Sequence, residues 1–346
     1  MIRVGIVGSN FGRAVLLPAF RADPRCEVVA LAGRDAQKTT GLARESGVAR
    51  AFKTWTELVE DGGIDAVAIA TPPALQPDIA IQALQGGKAV FLEKPLAATL
   101  AQADALLDEA RKSKRPAIVD FEFPELPAWQ RAKALIDEGA IGALRHVVVS
   151  WQVENYATRM RMKSWKTNGD DGGGVLGNFV SHCFHYLEYF CGPLANLSAQ
   201  LFGLPGDRNG TEATVALTGE FASGAGLSLS MSAASYLGSG HRIEFYGEDG
   251  TLMLVNATAD YMRGFELLYA HRPAEKLARL DVKAPDDAHF PDGRIAPVSQ
   301  LARRLLDAIE KGGAVAPGIR EGHRVQHLIE LARLSHDVSE SVMTDS

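Results

Sequence analysis

Ile2-Arg3-Val4-Gly5-Ile6-Val7-Gly8-Ser9-Asn10-Phe11-Gly12 joins a short apolar run to a glycine turn and leads into a segment of helical period. A run of that length reads as a buried strand. Strand, glycine turn and helix in that order form the setting in which backbone N–H groups and a helix N-terminus cradle a pyrophosphate. The fingerprint is incomplete. Asn10 stands where a second glycine would let the backbone approach the phosphate, and Gly12 arrives one residue early. Asn tolerates positive φ better than other non-glycine residues, so the turn is expected to survive with Asn10 in that conformation. Taken alone, Gly8, Ser9, Asn10, Phe11 and Gly12 read equally well as a plain strand-to-helix turn.

Outward from that stretch, short apolar runs alternate with helical ones as far as about residue 120, the grammar of βαβ units and a parallel sheet. Ile2–Val7, Glu27–Ala32, Asp65–Ala70, Ala89–Leu92 and Ala117–Val119 are predicted strands. Asp35–Ser46 and Leu75–Gln85 are predicted helices, and Thr54-x-x-Glu57 and Thr99-x-x-Gln102 mark two further helix starts. After Pro124 the pattern changes. A helix near 125–138 and a turn at Gly139 to Gly142 precede predicted strands at 144–155, 214–218, 226–232, 242–246 and 251–255, which imply a mostly antiparallel sheet. A helical segment over about 175–190 interrupts it, and two more, near 298–310 and 320–340, follow. The expected organisation is α/β: a Rossmann domain over 1–120 and an α+β domain over 121–346 for substrate binding and oligomerisation.

Composition narrows the function. The 346 residues are 46% hydrophobic and 23% charged, with a formal net charge of -6, so no broad attraction for nucleic acid is expected. Three cysteines, Cys26, Cys183 and Cys191, match neither a disulfide framework nor a paired zinc motif. The chain opens on a strand rather than an export signal, and no segment approaches the roughly 20 apolar residues that cross a bilayer. A cytoplasmic protein with reduced thiols and no membrane partner is expected.

At the end of the second strand, where an acidic residue would bind the ribose of NAD, stand Ala32, Gly33 and Arg34. A small residue followed by Arg suits a 2′-phosphate, so NADP is expected, with NAD as the alternative. Arg34 also reads as an exposed loop cation, with Asp35 capping the next helix. Thr71-Pro72-Pro73 and Glu93-Lys94-Pro95 end the next two central strands. They fall at the carboxyl edge of the sheet, where open α/β folds bind ligands. Pro95 holds Lys94 out of the helical region; a solvated Glu93–Lys94 pair is the plainer reading of the tripeptide.

The ordered series of Gly8 to Gly12, Thr71-Pro72-Pro73, Gly86-Gly87-Lys88-Ala89-Val90-Phe91-Leu92-Glu93-Lys94-Pro95-Leu96-Ala97, Pro127-Ala128-Trp129, Gly139-Ala140-Ile141-Gly142, Gly172-Gly173-Gly174-Val175-Leu176 and Tyr246-Gly247-Glu248-Asp249-Gly250-Thr251 resembles the glucose-fructose oxidoreductase, inositol dehydrogenase and MocA (Gfo/Idh/MocA) family. The resemblance implies an N-terminal Rossmann domain, a C-terminal α+β domain with an open sheet, and NAD(P)-linked redox of a sugar or cyclitol. It also implies that Thr71, Pro72, Gln76, Glu93 and Lys94 line the cofactor, with Lys94 on the reacting oxygen, and that copies pair as a homodimer or homotetramer. Gln76 replaces a His common at that point in the family.

The helix predicted after Gly172-Gly173-Gly174 carries Asn178, His182 and His185, whose spacings put all three on one face. Its other residues are apolar, so a hydrogen-bonded core histidine is the competing reading. Relatives usually carry Asp, His and Asp here. The likeness implies that His182 is the acid/base, while Asn178 can fix a hydrogen bond but cannot stabilise imidazolium. His182 and His185 lack a third ligand at recognisable spacing, and no metal is expected. Trp165 would stack on a sugar face or, equally, form an anchoring contact between domains. The expected activity is hydride transfer between the nicotinamide and a secondary alcohol or ketone, catalysed by Lys94 and His182. A catalytically weakened, cofactor-binding sensor or scaffold is the alternative.

Overall fold

The computed structural model describes residues 1–206, 211–283 and 289–344. The chain forms two compact units: Met1–Glu122 with Ala288–Gln326, and Phe123–Asp287 with His327–Ser346. The first contains β1 (Ile2–Val7), α1 (Leu17–Arg21), β2 (Cys26–Ala32), α2 (Ala36–Glu45), β3 (Arg50–Phe52), α3 (Trp55–Glu60), β4 (Ala66–Ile69), α4 (Gln76–Gln85), β5 (Ala89–Leu92), α5 (Leu100–Ser113) and β6 (Ala117–Val119). Its strands pair in the order β3-β2-β1-β4-β5-β6, all parallel. Parallel strands covered on both faces must be apolar throughout, and β4, β5 and β6 are buried at every position. The order reverses between β1 and β4. Gly8 and Thr71 leave these two strands side by side, at the switch point where such sheets open a ligand crevice.

Both helix starts read from capping residues are present. Thr99 and Gln102 form a reciprocal capping box on α5, and the Thr54 side chain accepts the Glu57 N–H on α3.

The second unit holds α6 (Pro127–Asp137), β7 (Leu144–Gln152), α7 (Tyr156–Arg159), α8 (Ser181–Cys191), β8 (Leu194–Gly203), β9 (Glu212–Phe221), β10 (Gly226–Ser232), β11 (Gly240–Gly247), β12 (Gly250–Asn256), β13 (Glu266–His271) and β14 (Ala278–Leu280). Then follow α9 (Ile295–Lys311), α10 (Ile319–Val338) and β15 (Val342–Met343), with the division between units falling inside α10. The second sheet runs β14-β13-β12-β11-β7-β10-β9-β8-β15 and is mostly antiparallel, as expected, with β7 and β10 paired in parallel. Phe123, Trp129, Trp151, Tyr186, His241 and Phe265 pack ring against ring in its core.

Helix α9 packs with the first unit. Ile295, Val298, Leu301, Ala302, Leu305 and Leu306 enter the core cluster that contains Ile6, Val15, Leu16 and Phe91. Their recurrence at three and four residues gives α9 one apolar stripe, and that stripe is what the core covers.

Candidate active site

The glycine turn is built differently from the expectation at Asn10. Positive φ falls on Gly8 (+114°), where a Cβ would stand 2.2 Å from the Ala70 carbonyl oxygen, so only glycine fits. Asn10 is not among the non-glycine residues with positive φ; its carbonyl instead accepts the Ala14 N–H at 3.0 Å in the first helical turn. Gly12 opens a wide, π-type turn over Gly12–Leu16 that continues as α1. A Cβ on it would lie 2.7 Å from Ile6 Cγ2, so Gly12 provides the close helix-to-strand packing one residue early. Ser9 is half-buried and Asn10 exposed beside the N–H groups that a helix start leaves unshared. Phe11 carries the Arg294 guanidinium over its ring at 5.1 Å.

Beyond β2, Gly33 allows α2 to approach, since a Cβ there would meet Thr39 Oγ1 at 2.6 Å. Asp35 is committed to capping, its Oδ1 accepting the Lys38 N–H at 3.0 Å. Arg34 is exposed.

At the carboxyl edge the Glu93 N–H donates to the Ile69 carbonyl at 2.9 Å, and the Lys94–Pro95 peptide is cis. Gln76, wholly buried at the start of α4, donates from Nε2 to the carbonyls of Glu93 (2.9 Å) and Pro95 (2.8 Å). The residue that replaces the family's His thus grips the backbone on both sides of Lys94. Two buried polar atoms at this edge, Thr71 Oγ1 and Gln76 Oε1, have no hydrogen-bond partner among the described residues. Orphaned polar atoms of this kind, with the Gly8 approach, fit a polar cofactor laid along the edge.

Sequence reasoning missed the acids that follow β6. Asp120 is wholly buried and Glu122 nearly so. Burial, then the Glu93 and Glu122 charges, push the Asp120 carboxyl well above the usual range; burial, then Glu93, pushes Glu122 to about 7, and Lys94 opposes both shifts. The available signal was Asp120-Phe121-Glu122: two acids directly after an apolar strand, at the same edge as Glu93.

In the second unit the glycine run is required by close approaches. A Cβ on Gly173 would come within 2.0 Å of the Trp165 carbonyl oxygen, and Gly174 (φ +83°) abuts the Glu212 carboxylate. Glu212 accepts the Leu176 N–H at 3.1 Å and so caps the helix, which begins with π-type turns over Leu176–Val180 and passes into α8. Burial raises the pKa of that carboxyl. Asn178 is half-buried; His182 is buried, edge-on to Phe123 with ring centroids 5.0 Å apart. Dense surroundings push the half-buried His185 down to about 3, leaving it neutral at pH 7. Trp165 is half-buried in a 3-10 turn, Trp165–Thr167, with Lys166 Nζ 5.8 Å from its ring. The structure therefore gathers Gly8, Thr71, Gln76, Glu93 and Lys94 at one edge of the first sheet, and places Asn178, His182 and His185 on one continuous helical run of the second unit.

Comparison with known proteins follows the same division. Residues 2–121 match the family described as an oxidoreductase family with an NAD-binding Rossmann fold, and residues 129–253 match the GFO/IDH/MocA C-terminal domain. An uncharacterized oxidoreductase of Synechocystis sp. is 31% identical over 351 residues, covering 97% of this chain and 94% of that protein. The chain belongs to the Gfo/Idh/MocA family. It is an oxidoreductase with an NAD-binding Rossmann fold. Another relative of this Gfo/Idh/MocA oxidoreductase is the levoglucosan dehydrogenase of Pseudarthrobacter phenanthrenivorans, 30% identical over 211 residues, or 58% of this chain and 54% of that one. A solved levoglucosan dehydrogenase in complex with NADH and levoglucosan superposes with a TM-score of 0.89 at 23% identity, each chain covered in full. The aldose-aldose oxidoreductase of Caulobacter crescentus, complexed with glycerol, gives 0.84 at 20% identity over 99% of both chains. At these identities the superpositions speak for the fold. Among the described residues no helix is long and apolar enough to cross a membrane.

Proposed function

We propose that this oxidoreductase passes hydride between NADP and a secondary alcohol or ketone of a sugar, cyclitol or related small polar molecule. The observation that carries the reading is Lys94: it leaves β5 at the carboxyl edge, with its flanking carbonyls held by the buried Gln76. Gly8, Ser9, Asn10, Phe11 and Gly12 would hold the pyrophosphate, Gly33 and Arg34 the adenosine 2′-phosphate, and Thr71, Pro72, Gln76 and Glu93 the nicotinamide half. The bound nicotinamide supplies a hydride acceptor or donor. Lys94 donates a hydrogen bond to the substrate oxygen and stabilises the charge that develops there, and His182 takes or returns the proton. Trp165, Asn178 and His185 would orient the remaining hydroxyls. Support for a sugar comes from the levoglucosan dehydrogenase likeness. Support for NADP comes from Arg34 and from Asp35 being spent on its cap; NAD is the alternative, since the neighbouring structures hold NADH. A cytoplasmic setting accords with three free cysteines.

The test is a panel of anhydrosugars, aldoses, ketoses and inositols with NAD or NADP, followed at the reduced-nicotinamide absorbance. Turnover of at least one member is expected, with kcat lower by roughly 10²–10⁴-fold in Lys94→Met and cofactor affinity retained. Unchanged kcat in Lys94→Met would remove the proposed role. Cofactor binding without turnover across the panel would favour the sensor or scaffold, a reading that Asn178 in place of the usual acid already supports.

A further inference from the structure

Strands β5 and β6 pair in parallel with Leu92 opposite Val119, which sets the residues that follow them, Glu93 and Asp120, side by side. The Asp120 N–H donates to the Leu92 carbonyl at 2.8 Å and fixes that placement. Asp120 is wholly buried, and among the described residues no N–H or hydroxyl serves either of its carboxyl oxygens. What lies within hydrogen-bonding reach is the carboxyl of Glu93. Two carboxyls can share a hydrogen bond only when one carries a proton, because two ionised carboxylates in a buried site repel. Around this pair stand Glu122 and Lys94, and Arg294, which is itself engaged with Asp292 at 2.6 Å. The Asp120 carboxyl is held neutral by burial and by its acidic neighbours, whereas Glu122, at about 7, changes charge within the working range of pH.

We propose that Asp120 and Glu122 are positioning residues for Lys94: the protonated Asp120 carboxyl is hydrogen-bonded to Glu93, and the Glu122 carboxylate holds the Lys94 ammonium in place for the substrate oxygen. Asp120 thereby orients Glu93 without adding charge beside the cofactor. Glu122 supplies the charge, and its protonation loosens the hold on Lys94. The inference rests on Lys94 serving the substrate oxygen, but the coupling it requires is measurable without a substrate.

The probe is the infrared C=O stretch of protonated carboxylic acids, well separated from carboxylate bands, recorded from pH 5 to 9 on the full chain with NADPH. At pH 6 one buried acid band each is expected from Asp120 and Glu122. One, assigned to Glu122, disappears near pH 7; the other, assigned to Asp120, persists above it. Asp120→Asn removes the persistent band and Glu122→Gln the titrating one, with circular dichroism confirming that each variant is folded. In Lys94→Met the titrating band moves up by about one to three pH units, because the cation that favours the carboxylate is gone. Absence of buried acid bands at pH 6, or a titration unmoved in Lys94→Met, overturns the proposal. Full turnover by Lys94→Met would remove the catalytic role of Lys94 and leave the infrared coupling standing, so the two failures are distinguishable.

Discussion

Arg34 is the residue on which the proposed preference for NADP turns. Asp35, which follows β2, has its Oδ1 engaged by the Lys38 N–H as the cap of α2, while Arg34 is exposed. A charge-assisted hydrogen bond contributes about 1.5–3 kcal/mol. Arg34→Ala should therefore weaken NADP binding by about 10–100-fold by titration calorimetry and leave NAD binding nearly unchanged; an equal loss for both cofactors would refute the assignment. His185 gives a second prediction, with a definite sign. Its folded value, about 3, lies below the usual 6.5, so the unfolded chain takes up the proton first. The stability it contributes is complete above pH 6.5 and is lost as pH falls toward 3, at up to about 1.4 kcal/mol per pH unit. Urea titrations of His185→Gln between pH 7 and 4 should show a shallower decline than the parent. At this scale the sequence was informative where a residue's work is local. Gly8, Gly12 and the strand-end position of Lys94 could be read from their neighbours in the chain; Asp120 showed only as an acid after an apolar strand, and its place beside Glu93, like that of Arg294, comes from the strand order and the packing of α9.

Elements were legible in proportion to how regular their patterns are. Strand β10 alternates Leu227, Leu229 and Met231 inward with Ser228 and Ser230 outward, and its limits match the expectation. The alternation ends at Ser232, which is buried and accepts a hydrogen bond from Thr214. Strand β8 was not foreseen because its register shifts between Leu194 and Asn196, so the apolar residues do not follow one period of two across the shift. Strand β3, with three residues, is too short to show any period. The helix that carries His182 depends on a junction that sequence could only partly suggest, since Glu212, which caps it, lies 36 residues downstream of Leu176. Gly174→Ala should expose that dependence. A Cβ there forces a side chain into positive φ and against the Glu212 carboxylate. The expected cost is about 1–3 kcal/mol, read as a lower urea midpoint with unchanged m-value. A midpoint equal to the parent's would show that the Gly174 turn relaxes freely.

For the whole molecule, the two sheet types followed from periodicity, but periodicity does not say which core a helix joins. Helix α9 lies late in the chain and yet completes the first unit, because its apolar stripe finds Ile6, Leu16 and Phe91 there. The second sheet raises the same issue at its other face. Its centre presents Val148, Ser150, Ser228, Ser230, Ala216 and Thr218, small or β-branched and half-buried or exposed, with Arg242 and Glu244 on the neighbouring strand. Small side chains let a second sheet come close, and a self-complementary patch carrying both charges suits a two-fold pairing of identical copies. Pairing through this face predicts that light scattering finds twice or four times the 37.1 kDa chain mass. Ser230→Arg, placed at an exposed position where the fold can accept it, should reduce that mass by breaking the close approach of the sheets. Retention of the parent mass by Ser230→Arg would mean that any pairing uses another surface, and a parent that runs at 37.1 kDa would mean that this face meets water.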